Sequence, residues 1–162
     1  MEGRRVAWDM PKYLARARAT CFVCALLEGR PGYEHEVVWR DDVGVVFLAR
    51  YPVVWGHLLV APIEHREHVV GEFVHSEYLA LQSLVHRAGV ALSSAVVTER
   101  LYVLSLGSQQ GNRHAHWHLV PLPPGVPYAE QQTALFDDAR GWFEFDPADL
   151  SAFAGAIRIA MR

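Results

Sequence analysis

The chain has 162 residues, of which 51% are hydrophobic, and a formal net charge of −3. This length and apolar content suffice for one domain with a hydrophobic core and give no reason to expect two. A weakly acidic chain is a poor candidate for nucleic-acid binding, because phosphates require clustered lysines and arginines. No run of about 18 apolar residues could span a membrane, and the first residues lack the apolar stretch of a signal peptide. We therefore expect a soluble cytoplasmic protein that binds neither nucleic acid nor membranes.

The N-terminal region holds a basic stretch and a pair of cysteines. Lys12, Arg16 and Arg18 form the only dense basic stretch, which we interpret as a solvent-exposed helix face. Cys21 and Cys24 are the two cysteines of the chain. In a reducing cytosol a Cys-x-x-Cys pair indicates half of a metal site or a redox pair. The pair alone does not decide between these two readings.

Apolar and β-branched runs predict five strands, bounded by turn residues. Asp41 and Asp42 separate the first two runs and indicate a tight connection between them. The predicted strands cover residues 36–40, 43–48, 57–61, 101–106 and 114–122.

Two helices are predicted around these strands. Apolar residues at helical spacing, beginning with Leu79, predict a helix from Ser76, its expected N-cap, to Val97. A second helix is predicted from Pro147 to Met161, because proline is favoured at the first helical position after a capping aspartate. The order of elements indicates the α+β class, with an antiparallel sheet covered by helices.

Three histidines alternate along the last predicted strand. Because side chains at i, i+2 and i+4 share one face of a strand, His114, His116 and His118 point one way, and Ala115 and Trp117 point into the core. A row of imidazoles is hard to explain as packing, since each buried polar group needs a partner. Imidazoles either bind metals or act as nucleophiles and acid–base groups near neutral pH. The row therefore indicates a functional face.

The segment before this row, residues 107–113, is rich in glycine and polar side chains. Glycines such as Gly111 let backbone N–H groups approach an anion, and Ser108, Gln110 and Asn112 can donate hydrogen bonds to it. Beside a histidine that can act as a nucleophile, the segment is typical of a phosphate-binding loop.

Three stretches resemble the histidine triad (HIT) superfamily of nucleotide hydrolases and transferases. "HAHWHLV" at 114–120 is similar to the family signature, "VVFLARYPVVWGHLLVAPIEH" at 45–65 to its strand–loop–strand segment, and "CFVC" at 21–24 to the zinc-binding start of bacterial members. The resemblance implies a HIT-like fold with a five-stranded antiparallel sheet, a long helix and a C-terminal helix, paired into a homodimer. We expect residues 1–162 to form a single HIT domain, with its core at about 20–125 and an extension at 126–162.

The resemblance also implies roles for individual residues. His116 would be the nucleophile that attacks the α-phosphorus of a nucleotide, and His118 and His57 would stabilise the charge on the phosphoryl oxygens. Gln110 occupies the position of a glutamine that binds the phosphate or the bridging group, with Ser108, Gly111 and Asn112 beside it.

A structural zinc ion is the implied cofactor, bound by four residues: Cys21, Cys24, His65 and His114. Two thiolates and two imidazoles complete a tetrahedral shell, which favours a structural over a catalytic role. His68 is a competing ligand. The preferred interpretation of His68, and of His35, His75 and His86, is a surface or helix-end histidine.

Two positions depart from the family pattern. Ala49 stands where many members carry an aspartate or asparagine that binds the ribose, and Gly111 stands where the phosphoramidase branch carries a serine or threonine. The leading hypothesis is a hydrolase of dinucleoside polyphosphates or nucleoside phosphoramidates that forms a covalent nucleotidyl-His116. The alternatives are a nucleotidyltransferase or phosphorylase and a non-catalytic nucleotide-binding module. Residues 123–136 are expected to form a wall of the site or of the dimer.

Overall fold

The computed structural model describes residues 2–106 and 111–162. The strands are β1 (Arg4–Val6), β2 (Val37–Arg40), β3 (Gly44–Leu48), β4 (Leu58–Pro62), β5 (Arg100–Leu104), β6 (Trp117–Leu122) and β7 (Trp142–Glu144). The helices are α1 (Met10–Ala19), α2 (Phe22–Leu27), α3 (His75–Ala95) and α4 (Pro147–Ala160). Five strands form an antiparallel sheet in the order β2-β3-β4-β6-β5, with the long helix α3 and the C-terminal helix α4 packed against it, as predicted. A second, two-stranded sheet pairs β1 with β7.

The two faces of the five-stranded sheet are covered differently. Alternate strand residues such as Val46 and Leu119 pack against α3 and α4 in the main core. The opposite face, including Phe47 and Leu59, packs against α2 in a smaller cluster. Since both faces are covered, β3 and β4 are buried along their whole length and do not alternate between apolar and polar residues.

Local hydrogen bonds explain several element boundaries. The Asp41 carboxylate accepts hydrogen bonds from the N–H groups of Val43 and Gly44, which closes the connection between β2 and β3. The Asp146 carboxylate accepts from Ala148 N–H and caps α4, as expected for the Asp-Pro start. Within the described residues, no helix combines the length and apolar character needed to cross a membrane.

The long helix differs from its prediction at both ends. It begins at His75 and ends at Ala95, so Ser76 lies inside the helix and is not its N-cap. The Glu77 carboxylate accepts a hydrogen bond from Val74 N–H, so this backbone donor at the start of the helix has a partner without a serine cap. Leu79 was predicted on the buried face and is 51% exposed.

Strand β6 begins at Trp117, three residues later than predicted, so His114 and His116 precede the ladder. The backbone N–H and carbonyl groups that would extend the strand pairing of β6 have other hydrogen-bond partners. Ala115 N–H donates to the Arg66 carbonyl (2.6 Å), and the Ser105 hydroxyl donates to the His116 carbonyl (2.6 Å). Pro62, at the end of the neighbouring strand, has no N–H to donate.

The small sheet ties the N-terminal segment to the C-terminal segment. Arg4 pairs in register with Glu144, with which it also forms an ion pair, and the Arg5 guanidinium lies 4.4 Å from the centre of the Phe143 ring. Gly141 precedes β7 with φ +72°, and a Cβ there would lie 2.1 Å from the Val6 carbonyl oxygen. Only glycine fits this close approach.

We predict that Gly141→Ala loosens this pairing and lowers the free energy of unfolding. Gly125→Ala is the matched control, because Gly125 has a similar φ of +81° and open space where the methyl group would lie. The control change should cost about 1 kcal/mol for the left-handed backbone, and Gly141→Ala should cost a further 1–3 kcal/mol or so for overpacking. Denaturant unfolding measures both, and equal losses in the two variants would contradict the close packing at Gly141.

Candidate active site and metal site

The candidate active site is a cavity of about 360 Å³ on the face of the sheet that packs against α2. The sheet and its connections contribute residues that include Ala49, His57, Leu59, His116 and His118. The opposite walls come from α1, α2 and the turn before β7, with residues that include Tyr13, Arg16, Phe22, Phe136 and Gly141. The cavity is therefore built from widely separated parts of the chain.

His116 is oriented by a backbone hydrogen bond. Its side chain is 6% exposed, and Nδ1 lies 2.7 Å from the His114 carbonyl oxygen. A carbonyl oxygen can only accept, so Nδ1 carries the proton and Nε2 keeps a free lone pair. Burial lowers the pKa of His116, which keeps the ring neutral at pH 7. The result is an imidazole with the protonation state of a nucleophile.

His57 and His118 form a second, directed pair. Val53 N–H donates to His57 Nδ1 (3.4 Å), so the proton of His57 lies on Nε2, which is 2.9 Å from His118 Nδ1. His118 Nδ1 accepts that hydrogen bond, and its own proton therefore lies on Nε2. Burial lowers the pKa of His57 to about 3 and that of His118 to about 2, with smaller contributions from the neighbouring histidines. His118 thus offers one N–H donor beside His116, whose ring centre is 4.9 Å away.

Four predicted metal ligands meet beside this cavity. The ligand atoms of Cys21, Cys24, His65 and His114 all lie within 4.8 Å of one another. The Sγ atom of Cys21 is 3.4 Å from His114 Nδ1, and that of Cys24 is 3.3 Å from His65 Nδ1. Tetrahedral zinc bonds of ordinary length separate a sulfur from a nitrogen ligand by about 3.5 Å. The spacing and the donor set fit a tetrahedral thiolate–imidazole site.

Neighbouring groups orient these ligands for metal binding. His114 Nε2 donates to the Pro62 carbonyl (3.0 Å), and His65 Nε2 lies 3.5 Å from the Glu67 carboxylate, which leaves each Nδ1 free to bind a metal. Burial and the Cys21 thiol raise the pKa of Cys24 to about 12, so a thiolate there needs a compensating cation. These features also argue against an isolated redox pair.

The N-terminal segment supplies a wall that the sequence analysis did not assign to the site. Trp8, Tyr13 and Tyr51 form an aromatic cluster with ring centres 4.9 to 5.7 Å apart. The Arg16 and Arg50 side chains both donate to the Gly32 carbonyl, and Arg16 lies 4.0 Å from the centre of the Tyr33 ring. Lys12 and Arg18 are exposed, as expected for a solvent-exposed basic face, whereas Arg16 is half-buried and its side chain packs in this wall.

Comparison with known proteins supports the family assignment. The chain is 31% identical over 105 residues to an uncharacterized HIT-like protein of Saccharolobus solfataricus, and the match spans 62% of this chain and 73% of that protein. The chain belongs to the histidine triad family. No protein-family model matches it.

Solved structures of other HIT proteins share the fold. A hypothetical histidine triad nucleotide-binding protein of Sulfolobus tokodaii superposes with a TM-score of 0.69 at 22% identity, covering 87% of this chain and 91% of that one. A Zn-bound histidine triad family protein of Mycobacterium smegmatis gives 0.65 at 19% identity, covering 88% and 94%. At these identities the likeness concerns the fold.

The HIT fold of this chain brings most of the predicted site residues together. His57, His116 and His118 line one cavity with Asn112, and the four predicted metal ligands form one cluster. Gly111 adjoins helix α1, where an added Cβ would lie 2.8 Å from the Ala17 carbonyl oxygen. Ser108 and Gln110 lie outside the described residues. Trp117 and Ala115 point into the main core, as predicted.

Two predictions about the cavity wall have different outcomes. His35 was interpreted as a surface or helix-end residue, and it instead lines the cavity and hydrogen-bonds the Leu48 carbonyl (3.2 Å). Phe136 lines the cavity, as expected for the 123–136 segment, whereas Tyr128 is 82% exposed. The missed residues Tyr13, Arg16 and Ala17 share one helix face by their i, i+3, i+4 spacing, which was the available signal.

Proposed function

We propose that this HIT protein is a nucleotide hydrolase that works through a covalent nucleotidyl-His116. The supporting observation is the hydrogen bond from His116 Nδ1 to the His114 carbonyl, which leaves a neutral Nε2 lone pair in the cavity. The relative from Sulfolobus tokodaii is described as nucleotide-binding, which is consistent with this substrate class. Dinucleoside polyphosphates and nucleoside phosphoramidates are the proposed substrates.

The proposed reaction has two displacement steps. The Nε2 lone pair of His116 forms a bond to the α-phosphorus, and the bond from phosphorus to the leaving atom breaks with its electron pair on that atom. Water then attacks the same phosphorus and loses a proton, and the P–N bond breaks and returns its electron pair to Nε2. The His118 Nε2–H donates to a phosphoryl oxygen whose negative charge grows in each transition state. His57 holds His118 in the tautomer that makes this donation possible.

We predict that His116→Ala abolishes both turnover and covalent labelling. Loss of a nucleophile should lower the rate by at least about 10³-fold. The assay incubates the protein with a dinucleoside polyphosphate radiolabelled at the α-phosphate and measures acid-labile label retained on the denatured chain. His86→Ala is the control, because His86 is an exposed histidine on α3.

The same assay separates the alternatives. Undiminished hydrolysis by His116→Ala would contradict the proposal. Faster product formation with added phosphate, giving a nucleoside diphosphate, would indicate a phosphorylase. Binding without labelling or turnover would indicate a nucleotide-binding module.

We also propose that Zn²⁺ occupies the site formed by Cys21, Cys24, His65 and His114. The ion would cross-link the start of α2, the segment after β4 and the start of the histidine row. Its contribution would be structural, because four protein ligands fill a tetrahedral shell and leave no position for substrate. Bracing His114 would also hold the carbonyl that orients His116.

We predict that His65→Asn loses zinc and that His68→Asn does not. His68 is exposed and near in sequence, which makes it a matched control for the competing ligand assignment. Elemental analysis should find about one zinc per chain in the control and a strongly reduced content in His65→Asn, as expected for an incomplete tetrahedral shell. Full zinc content in His65→Asn, or its loss in His68→Asn, would contradict the assigned ligand set.

A further inference from the structure

Helix α1 occupies the space that a side chain at position 111 would need. Gly111 has φ +133°, and a Cβ added to it would lie 2.8 Å from the carbonyl oxygen of Ala17 on α1. Any residue with a side chain at this position would clash with the backbone of α1, which cannot rotate away as a side chain can. The loop leading to His116 therefore presents no side chain at 111, and α1 forms the wall of the cavity at this point.

The same helix brings a hydroxyl group to the loop. Tyr13 on α1 lines the cavity together with His116, and the Asn112 side-chain amide donates a hydrogen bond to the Tyr13 hydroxyl oxygen. Since the Tyr13 oxygen is the acceptor in that bond, its own hydrogen is left to donate. The ring is held by edge contacts with Trp8 (4.9 Å) and Tyr51 (5.7 Å), which restrict where the hydroxyl can point.

Leaving atoms that are poor anions, such as the nitrogen of a phosphoramidate, need a proton donor that His116 and His118 do not supply. His116 provides the nucleophilic lone pair, and the free N–H of His118 is assigned to a phosphoryl oxygen. The arginines of the wall cannot release a proton near neutral pH. Among the described hydroxyls of the cavity wall, Tyr13 is the one hydrogen-bonded to the loop that leads into His116.

We infer that Tyr13 is a catalytic residue that donates its hydroxyl proton to the leaving atom, an inference that rests on the proposed nucleotidyl-His116 chemistry. In the first step the leaving atom takes the electron pair of its bond to phosphorus and the proton of Tyr13, which becomes a phenolate. In the second step the attacking water gives its proton to that phenolate as the P–N bond breaks. The sum is hydrolysis, with Tyr13 and His116 both restored.

The surroundings of Tyr13 suit a donor. Burial has the largest effect on its pKa and raises it. The hydrogen bond from Asn112 lowers the pKa, and smaller charge effects of Tyr51 and Asp138 raise it further. The hydroxyl therefore stays protonated through the neutral range. An in-line displacement places the leaving atom on the side of phosphorus away from Nε2 of His116. Tyr13 lies on helix α1, a part of the cavity wall other than the strand that carries His118, and the inference places the leaving atom beside its hydroxyl.

The test compares Tyr13→Phe on two nucleoside 5′-monophosphate esters that differ only in their leaving group. Phenolate leaves poorly without a proton, whereas p-nitrophenolate leaves readily as an anion. General acid catalysis is worth about 10² or more in rate. We expect Tyr13→Phe to lower the first-turnover rate of phenol release from the phenyl ester by about 100-fold and to change the first-turnover rate of p-nitrophenol release by less than about 3-fold, since the second step is common to both esters. Labelling of His116 by the p-nitrophenyl ester should persist in the variant.

The possible outcomes are distinct. Equal losses of the first-turnover rate with both esters would assign Tyr13 a structural role and overturn the inference, as would an unchanged first-turnover rate with the phenyl ester. Tyr78→Phe is the control for removing a tyrosine hydroxyl, because Tyr78 lies outside the cavity and its ring packs near Trp117. If the unsubstituted chain forms no label on His116 with either ester, the proposed function fails and the inference fails with it. If labelling persists and the ester difference is absent, only the inference fails.

Discussion

One backbone hydrogen bond organises the candidate site: the 2.7 Å contact between His116 Nδ1 and the His114 carbonyl oxygen. It selects the tautomer of His116 and therefore the nitrogen that can act as a nucleophile. The residue that supplies the carbonyl is also a member of the cysteine–histidine cluster, through its Nδ1 atom. A metal ion bound there would act on the reaction only by holding the His114 backbone in place. His114 of the cluster and His116 of the cavity thus lie two residues apart on one short segment.

The alternation of side chains along that segment separates packing from chemistry. Ala115, Trp117 and Leu119 pack in the main core against α3 and α4, so the segment is anchored on one side by apolar burial. His114, His116 and His118 lie on the other side, and each has a different hydrogen-bond partner: the Pro62 carbonyl, the His114 carbonyl and His57. Because each imidazole of the row has a hydrogen-bond partner through one ring nitrogen, most of the penalty for burying unpaired polar groups is avoided.

The central sheet and the two helices that cover it could be predicted from local periodicity. The grouping of the two cysteines with His65 and His114 was predicted from the resemblance to the HIT family, because it joins distant parts of the chain. The start of β6 could not be predicted, because Ala115 and His116 use Arg66 and Ser105 as partners, and those contacts depend on tertiary structure. The pairing of β1 with β7 joins residues near opposite ends of the chain, and three-residue strands carry almost no periodic signal. The roles of Tyr13, Arg16 and His35 in the cavity wall depend on tertiary contacts, and the helical spacing of Tyr13 and Arg16 indicated only a shared face.

The proposed mechanism requires that His57, His116 and His118 are neutral and hold specified tautomers. Long-range ¹H–¹⁵N NMR of histidine-labelled protein at pH 7 measures this directly, because protonated and bare ring nitrogens have different ¹⁵N shifts. We predict that His116 carries its proton on Nδ1 and that His57 and His118 carry theirs on Nε2. An Nε2 proton on His116, or a doubly protonated ring at any of the three positions, would contradict the proposed mechanism.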